Sequence, residues 1–353
     1  MKINKIRKSI DRFDRKIVRL LNQRASRILD IGRLKNKYHK SIYAPAREQE
    51  VLKKISLLNQ GPLTRGSLEA IYREIMSASL ALEKSLVIAY LGPKATFTNA
   101  AALKKFGSSV EYLACNSISD VFSEVEKDKA DYGVVPIENS IEGAISHTLD
   151  MLVDSDLKIC AQIMLDISHN LLSRSAKSNI KKIYSNPQVF AQCRLWLESN
   201  LPKADLIEVS STTRAAQIAS RENNAACIAS LLAAKEWKLG VIARDIEDSP
   251  HNITRFLVIG KYEADPTAYD KTSIMFSIKD RVGALHDMLM PFKKYKINLT
   301  KIESRPSKRR AWDYFFFVDL IGHIQQKNIK RALEELEEKC KFLKVLGSYP
   351  KSE

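Results

Sequence analysis

Apolar residues in the first part of the chain recur at three- and four-residue steps. Ile6, Ile10, Phe13, Ile17, Leu20, Ile28 and Ile31 form one such series. This is the spacing of an amphipathic helix, and it runs far beyond the usual length of a globular one. A helix that long without a core of its own needs antiparallel partners or a second chain to cover its stripe. Pro45 opens a second helix to about Asn59, stopped by Gly61 and Pro62, and a third runs from about Ser67 to Lys84.

From Leu86 the pattern changes to short apolar strands separated by helical stretches: LVIAYLG, VEYLAC, YGVVPI, KICAQIML, KKIYS, LIEVS, ACIAS and ITRFLVIG. That alternation predicts an α/β domain. DPTAYDK at 265–271 reads as a linker. After it, KTSIMFSIK, a helix near Leu285 to Tyr295, INLTKIESRP, WDYFFFVDLIGH, a charged helix from about Lys327 to Lys341 and FLKVLGSY follow in the order βαββαβ, a ferredoxin-like α+β unit. The expected fold is therefore multidomain: an all-α domain over 1–84, an α/β domain over 86–262 and an α+β domain over 271–349.

Polar residues interrupt the helical stripes. At about 100° per residue, Arg24 falls on the stripe of Ile10, Ile17 and Ile31, with Lys35 almost whole turns further on. Two cations are thus expected on a face that packing would bury. An unpaired buried charge costs on the order of several kcal/mol or more, so something anionic should meet them. Glu48 shares a face with Val51, Leu52 and Ile55, while Ser79 and Glu83 continue the series of Tyr72 and Met76. An internal ion-pair network joining Arg24 or Lys35 to Glu48 or Glu83 accounts for this spacing as well as a bound anion does.

In the α/β segment, polar turns follow strands, where open α/β sheets place ligands. Thr96 and Thr98 lie near one helix start; Asn139 and Ser140 end a strand; Ser185, Asn186 and Gln192 surround another helix start. Such residues suit anion binding at helix N-termini, and each alone is equally an ordinary N-cap. The stretch HNITRFLVIG, 251–260, leads an apolar strand in through Asn252, Thr254 and Arg255.

Composition narrows the function classes. The start, MKINKIRKSI, has no continuous apolar segment of the signal-peptide kind, and no apolar run approaches the roughly 18 residues of a membrane span. A cytoplasmic protein without membrane attachment is expected. Cysteines at 115, 160, 193, 227 and 340 are too far apart for a CxxC motif, and no HxxxH pair occurs, so buried free thiols are expected and no metal or other cofactor. The net charge of +16 raises nucleic-acid binding. Basic residues are interspersed with acidic ones, however, and the densest cluster, SKRR at 307–310, falls in an expected loop. No nucleic-acid partner is expected.

The set Arg7, Arg24, Lys35, Ala46–Glu48 and the SxxxE of Ser79–Glu83 resembles the all-helical chorismate mutase family across nearly all of residues 1–84. The resemblance implies an intertwined homodimer or higher oligomer in which Arg7 reaches the partner's site. It further implies that Arg24 and Arg47 bind the carboxylates of chorismate, that Lys35 faces the ether oxygen and that Glu48 holds a hydroxyl. Ser79 and Glu83 complete the site. Two positions depart: Ala44 stands where many members have Asp, and Glu83 where some have Gln. A Gln always donates to the ether oxygen, whereas a Glu does so only when protonated. The polar turns together with Thr254–Phe256 resemble the prephenate dehydratase family. That implies two α/β lobes like those of type 2 periplasmic binding proteins, with prephenate bound between them by Asn139, Ser185, Gln192 and Arg255 and with Thr254 as catalytic residue. Here Ala95 replaces a usual Gly, and Asn186 stands where some members have His. Residues 271–349 resemble the ACT regulatory domain. GAL (Gly283, Ala284, Leu285) and ESRP (Glu303, Ser304, Arg305, Pro306), with Asn298, are then implied to flank an allosteric phenylalanine site at a dimer interface.

These resemblances imply one bifunctional enzyme of phenylalanine biosynthesis. The first reaction is pericyclic and needs only orientation and electrostatic stabilisation. The second expels carbon dioxide and hydroxide as the ring becomes aromatic, so a positioned hydroxyl such as that of Thr254 suffices as the acid. Arg255 could hold a carboxylate or pair with an acidic neighbour. A non-catalytic amino-acid sensor is the rival from another class, and a dehydratase with a degenerate mutase domain is the variant that Ala44 allows.

Overall fold

A computed structural model describes residues 2–38, 41–278, 281–306 and 314–351. The chain divides into two compact units, Met1–Val87 with Lys105–Glu111, and Ile88–Lys104 with Tyr112–Glu353.

In the first unit, helices α1 (Lys2–Lys37), α2 (Pro45–Leu58) and α3 (Arg65–Glu83) follow the three predicted segments. Pro45 occupies the first turn of α2, and the Thr64 side chain caps α3 by accepting from Ser67 N. Only the C-terminal half of α1 is covered: Arg24, Ala25, Ile28, Gly32 and Lys35 turn inward on successive helical turns. The same stripe continues toward the N-terminus uncovered, with Ile10, Phe13 and Ile17 at 51%, 60% and 52% exposure. Helices α2 and α3 thus cover the stripe only in part, and the cause is length: they span only part of α1. Gly32 allows α1 and α3 to approach closely, since a Cβ there would lie 3.2 Å from Glu83 Cγ.

The second unit begins with a mixed sheet built from β1 (Val87–Leu91), α4 (Phe97–Phe106), β2 (Glu111–Cys115), α5 (Ile118–Glu126), β3 (Tyr132–Asn139), β4 (Gly143–Ala144), α6 (Ser146–Asp154) and β5 (Lys158–Asp166). The chain then crosses to a second lobe. This contains β6 (Asn170–Ser173), β7 (Lys182–Ser185), α7 (Pro187–Gln192), α8 (Arg194–Asn200), β8 (Asp205–Glu208), α9 (Thr212–Ala219), β9 (Ala225–Ala229), α10 (Leu231–Trp237) and β10 (Gly240–Ala243). It returns as β11 (Ile253–Gly260). Strand orders are β2-β1-β3-β11-β5 and β10-β6-β9-β7-β8. Each sheet thus incorporates, antiparallel, one strand arriving from the other lobe. This double exchange is the type 2 binding-protein topology, and it leaves two crossover segments at the base of a cleft. β4, only 2 residues long, and β6 and β10, of 4 residues each, were not among the predicted strands.

The remaining elements, β12 (Asp270–Ser277), α11 (Ala284–Lys294), β13 (Leu299–Pro306), β14 (Tyr314–Ile321), α12 (Lys327–Lys339) and β15 (Phe342–Pro350), form the βαββαβ unit with sheet order β13-β14-β12-β15. Both helices cover one face, over Ile274, Phe276, Val318 and Leu320. β15 runs against β5, where Gly347 (φ +155°) would place a Cβ 2.3 Å from Ile159 O, so only glycine fits. The SKRR cluster lies outside the described residues.

Candidate functional site

In the helical unit, α1 sends two cations toward α3. Arg24 Nη1 donates to Ser79 Oγ at 2.6 Å, and Lys35 Nζ donates to Glu83 Oε2 at 2.9 Å and to Ile42 O at 2.7 Å. Glu48 Oε2 accepts from Lys105 Nζ at 2.9 Å and from the Tyr43 hydroxyl at 3.3 Å. These polar groups satisfy one another, as burial requires. Arg47 instead points outward and pairs with Glu50 at 2.5 Å, and Arg7 lies on the uncovered half of α1. Neither joins the Arg24–Lys35 cluster within one chain. Ala44 is the N-cap of α2 and makes no capping bond.

The two-lobed domain holds a cleft of about 250 Å³ lined from both lobes, among others by Thr96, Asn139, Gln192, Ser211, Asn252 and Thr254. β11 sits between β3 and β5, with Thr254 opposite Asn139 and Leu165. Asn139 Nδ2 donates to Thr254 Oγ1 at 2.8 Å and to Asn252 Oδ1 at 2.7 Å. Its Oδ1 accepts from the main-chain N–H groups of Ile141 and Glu142 at 2.9 and 3.2 Å. Since a main-chain N–H can only donate, the Asn139 amide has one permitted orientation. Thr254 Oγ1 is consequently an acceptor from Asn139, and its own proton remains available to the cleft.

Two expected cleft residues lie elsewhere. Ser185 is fully buried and donates to Ile228 O at 3.0 Å. For Arg255 the expected place in the cleft is corrected, and the other expected role, pairing with acidic neighbours, is the one found. Successive side chains of a strand point to opposite faces, so Thr254 and Phe256 reach the cleft while Arg255 turns away into the C-terminal domain. There it is 4% exposed and donates to Asp319 at 2.6 Å, Glu138 at 2.9 Å and the Tyr349 hydroxyl at 2.8 Å. Burial opposes the charges in this cluster. The surrounding opposite charges prevail, holding Asp319 and Glu138 below the usual carboxylate range and raising Arg255. Lys271, by contrast, is lowered by burial and by Arg255 beside it.

Several further residues line the cleft. Asn252 was recoverable, because it precedes Thr254 by two positions and alternation puts both on one face. His169, at the first crossover, and Glu142, after β3, carry no motif of their own. The five cysteines are free, four of them buried, and burial raises their thiols, that of Cys115 to about 11.

In the C-terminal domain a cavity of about 300 Å³ is lined by Gly283, Ala284 and Leu285 with Ile278, Arg281 and Tyr314. Gly283 takes φ +77° at the start of α11, a left-handed conformation that favours glycine. Glu303, Ser304, Arg305 and Pro306 lie on β13 and do not line this cavity, and Asn298 is exposed just before that strand. Arg305 forms a forked pair with Asp150 on α6, its Nη2 at 2.6 Å from Oδ2. Lys301 of β13 likewise pairs with Glu138 of β3. Among the described residues no three His, Cys, Asp or Glu side chains could hold a metal, and no helix is long and apolar enough to cross a membrane.

Cation-bearing helices, a hydrogen-bonding cleft between α/β lobes and a ferredoxin-like module on one chain define a multidomain enzyme with a regulatory domain. Family models agree along the sequence: Chorismate mutase type II over residues 6–84, Prephenate dehydratase over 88–264 and ACT domain over 272–338. The bifunctional chorismate mutase/prephenate dehydratase of Aquifex aeolicus is 52% identical over 99% of this chain and 98% of its own. That of Pseudomonas aeruginosa is 45% identical over 98% and 97%. The crystal structure of prephenate dehydratase in complex with L-Phe from Arthrobacter aurescens matches with a TM-score of 0.70 at 33% identity, over 75% of this chain and 90% of that one. The chain belongs to the bifunctional chorismate mutase/prephenate dehydratase family.

Proposed function

We propose that the two activities are consecutive steps on one carbon skeleton. Chorismate is rearranged to prephenate in the helical domain (1–84), and prephenate is converted to phenylpyruvate in the two-lobed domain (86–262). Phenylalanine bound through the C-terminal domain (271–349) exerts feedback inhibition, in a cytoplasmic homodimer or higher oligomer.

The observation that carries the dehydratase assignment is the fixed polarity of Asn139. Because Asn139 donates to Thr254, the threonine hydroxyl keeps its proton for an acceptor in the cleft. The ring hydroxyl of prephenate is that acceptor. As the C–C bond to the ring carboxylate breaks, its electron pair enters the ring and the C–O bond breaks. Carbon dioxide leaves, and the departing hydroxide takes a proton from Thr254 to become water. The threonine is then reprotonated from solvent. Asn139 and Gln192 bind and orient the substrate, and Ser185 supports β7 beneath them.

In the helical domain Arg24, with Ser79, and Arg47, on leaving Glu50, hold the chorismate carboxylates, Glu48 holds its hydroxyl, and Lys35, oriented by its pair with Glu83, meets the ether oxygen as charge develops there. Arg7 acts in the site of a second copy. The uncovered apolar stripe of α1 supports such pairing, since two copies bury each other's exposed isoleucines. Phenylalanine occupies the cavity beside Gly283–Leu285, with Asn298 and the Glu303–Pro306 strand of a second copy completing it. Feedback requires that it bind more tightly to a state with a poorer cleft. The ion pairs Lys301–Glu138 and Arg305–Asp150 offer a physical connection, because Glu138 adjoins Asn139.

The test is direct. Purified protein given chorismate is expected to accumulate phenylpyruvate by way of prephenate, and given prephenate to form it at once. Phenylalanine is expected to bind by calorimetry and to slow the second reaction; binding without inhibition would refute the regulatory part.

A further inference from the structure

His169 sits at the crossover between β5 and β6, only 1% exposed, and belongs to the cleft lining. Its role follows from tracing hydrogen-bond polarity outward from Asn139. Asn252 Oδ1 accepts from Asn139, so Asn252 Nδ2 is free to donate, and it does so to Gln192 Oε1 at 3.2 Å. Gln192 Oε1 is therefore an acceptor, and its Nε2 donates to Glu142 Oε1 at 3.3 Å. His169 Nε2 lies 2.7 Å from that same Gln192 Oε1. Two acceptors cannot share a hydrogen bond, so Nε2 must carry a proton.

We propose that His169 is a positioning residue of the dehydratase: held as the neutral Nε2–H tautomer, it fixes the Gln192 carboxamide so that its N–H groups face Glu142 and the cleft. Nδ1 is buried with no partner among the described residues, so a second proton there would have no acceptor. Burial accordingly lowers the imidazole's affinity for that proton. The Phe97 ring, edge-to-face at 5.7 Å, fixes the imidazole plane. His169 N also donates to Glu247 Oε2 at 2.8 Å, and Ile246 N donates to His169 O at 2.8 Å, which anchors the main chain beneath the ring. Without the imidazole donor, Gln192 Oε1 retains only the longer bond from Asn252 and the amide can turn over.

This rests on the reading of the cleft as the prephenate site, and the experiment separates the two. Protein labelled with 15N-histidine, examined at neutral pH, is expected to show a protonated Nε2 and a bare Nδ1 for the resonance lost in His169→Leu. An Nδ1–H tautomer or an imidazolium overturns the proposal whatever the substrate. In kinetics, His169→Leu is expected to raise the KM for prephenate by about tenfold, the effect of one lost hydrogen bond, with a smaller change in kcat. His169→Gln retains an N–H donor and is expected to restore KM toward the parent. A urea unfolding midpoint at the parental value reports intact folding of each variant. Equal impairment of the Leu and Gln variants with that midpoint preserved, or an unchanged KM in His169→Leu while Gln192→Ala is impaired, overturns the positioning role. If Gln192→Ala is itself unimpaired, the reading of the cleft fails, and the tautomer alone then decides whether His169 orients Gln192.

Discussion

The two proposed active sites differ most in where they keep their cations. In the helices, Arg24 and Lys35 are turned inward and are met by Ser79 and Glu83. In the cleft, none of the described lining residues is Lys or Arg; beside aliphatic and aromatic side chains, the polar lining is hydroxyls, amides, His169 and the single carboxylate of Glu142. The chemistry explains the contrast. The rearrangement keeps both substrate carboxylates and builds negative charge on an ether oxygen, so fixed cations bind and stabilise throughout. The elimination converts one carboxylate into neutral carbon dioxide. A cation held against that group would stabilise the starting state more than the transition state and slow the step. Arg255, one residue from Thr254, is a cation that strand alternation withholds from the cleft and commits to Asp319 and Glu138.

Breaking the cleft should have the largest effect. Thr254→Ala is expected to lower dehydratase kcat by about 10²–10⁴, the range for a lost general acid, while mutase turnover in the same protein stays at the parental level. Steady-state assays with prephenate and with chorismate check both halves. Retention of near-parental dehydratase kcat would remove Thr254 from the mechanism. Thr254→Ser, which keeps the hydroxyl, should lie between.

Arg255 sharpens the contrast from the other side, as a cation whose work is cohesion. Arg255→Met leaves Asp319 and Glu138 with only Lys271 and Lys301, and loss of one partner from a buried pair costs about 3–5 kcal/mol. Urea midpoints measure this. The pH dependence has a definite sign. Both carboxylates titrate below their ordinary values of 3.8 and 4.5 when folded. The stability they supply is therefore complete above those values and is lost as pH falls through the lowered folded ones. The parent should lose stability steeply on acidification below about pH 4, and Arg255→Met less steeply; parallel curves would contradict the assignment.

In the helical domain, Lys35→Met is expected to lower mutase kcat by about 10²–10³, the scale of one electrostatic donor, with dehydratase unchanged. The same variant tests whether the site is shared between chains. Mixed with an Arg7→Ala chain and refolded together, it should recover roughly a quarter of the parental sites, because heterodimers are half of the population and have one of two sites intact. No recovery would confine the mutase site to one chain.

The sequence was most informative where a pattern repeats. The 3.6-residue period marked all three helices, and the strand and helix alternation marked the α/β region. It was least informative where a residue's direction depends on a distant partner. Arg24 and Lys35 were legible because a charge on an apolar stripe demands a partner, yet spacing alone could not choose between Glu48 and Glu83 and did not offer Ser79, which Arg24 meets. Arg255 was misdirected because its partner Asp319 lies 64 residues away in another domain. Applying the two-residue strand period to Thr254 alone would have turned it away from the cleft. His169 gave no local signal, since its function follows from the polarity of a chain of amides that only the folded structure assembles.

Ala95 tests the smallest effect and bears on how rigid the cleft must be. It precedes Thr96 and Phe97 of the lining and sits at φ +68°, where glycine is favoured. An L-residue there costs about 1–2 kcal/mol, which Ala95→Gly would relieve. The methyl group, however, is 1% exposed in a core with Leu172, Ala216 and Ala233. Removing it forfeits about 0.8 kcal/mol of burial, and glycine adds unfolded-state freedom worth about 0.4–1 kcal/mol. The terms nearly cancel, so the unfolding free energy of Ala95→Gly from urea titration should stay within about 1 kcal/mol of the parent with dehydratase kcat unchanged. The turn is also held by Ala95 N donating to Asn99 Oδ1 at 3.0 Å and by Ser230 Oγ donating to Ala95 O at 3.3 Å. Ala95→Val keeps those bonds but puts a branched side chain at positive φ, and it should destabilise the fold by more than the glycine variant does. If instead glycine markedly stabilised the protein, the buried methyl would contribute little, and the strained turn would have to be retained for the geometry it gives Thr96 and Phe97.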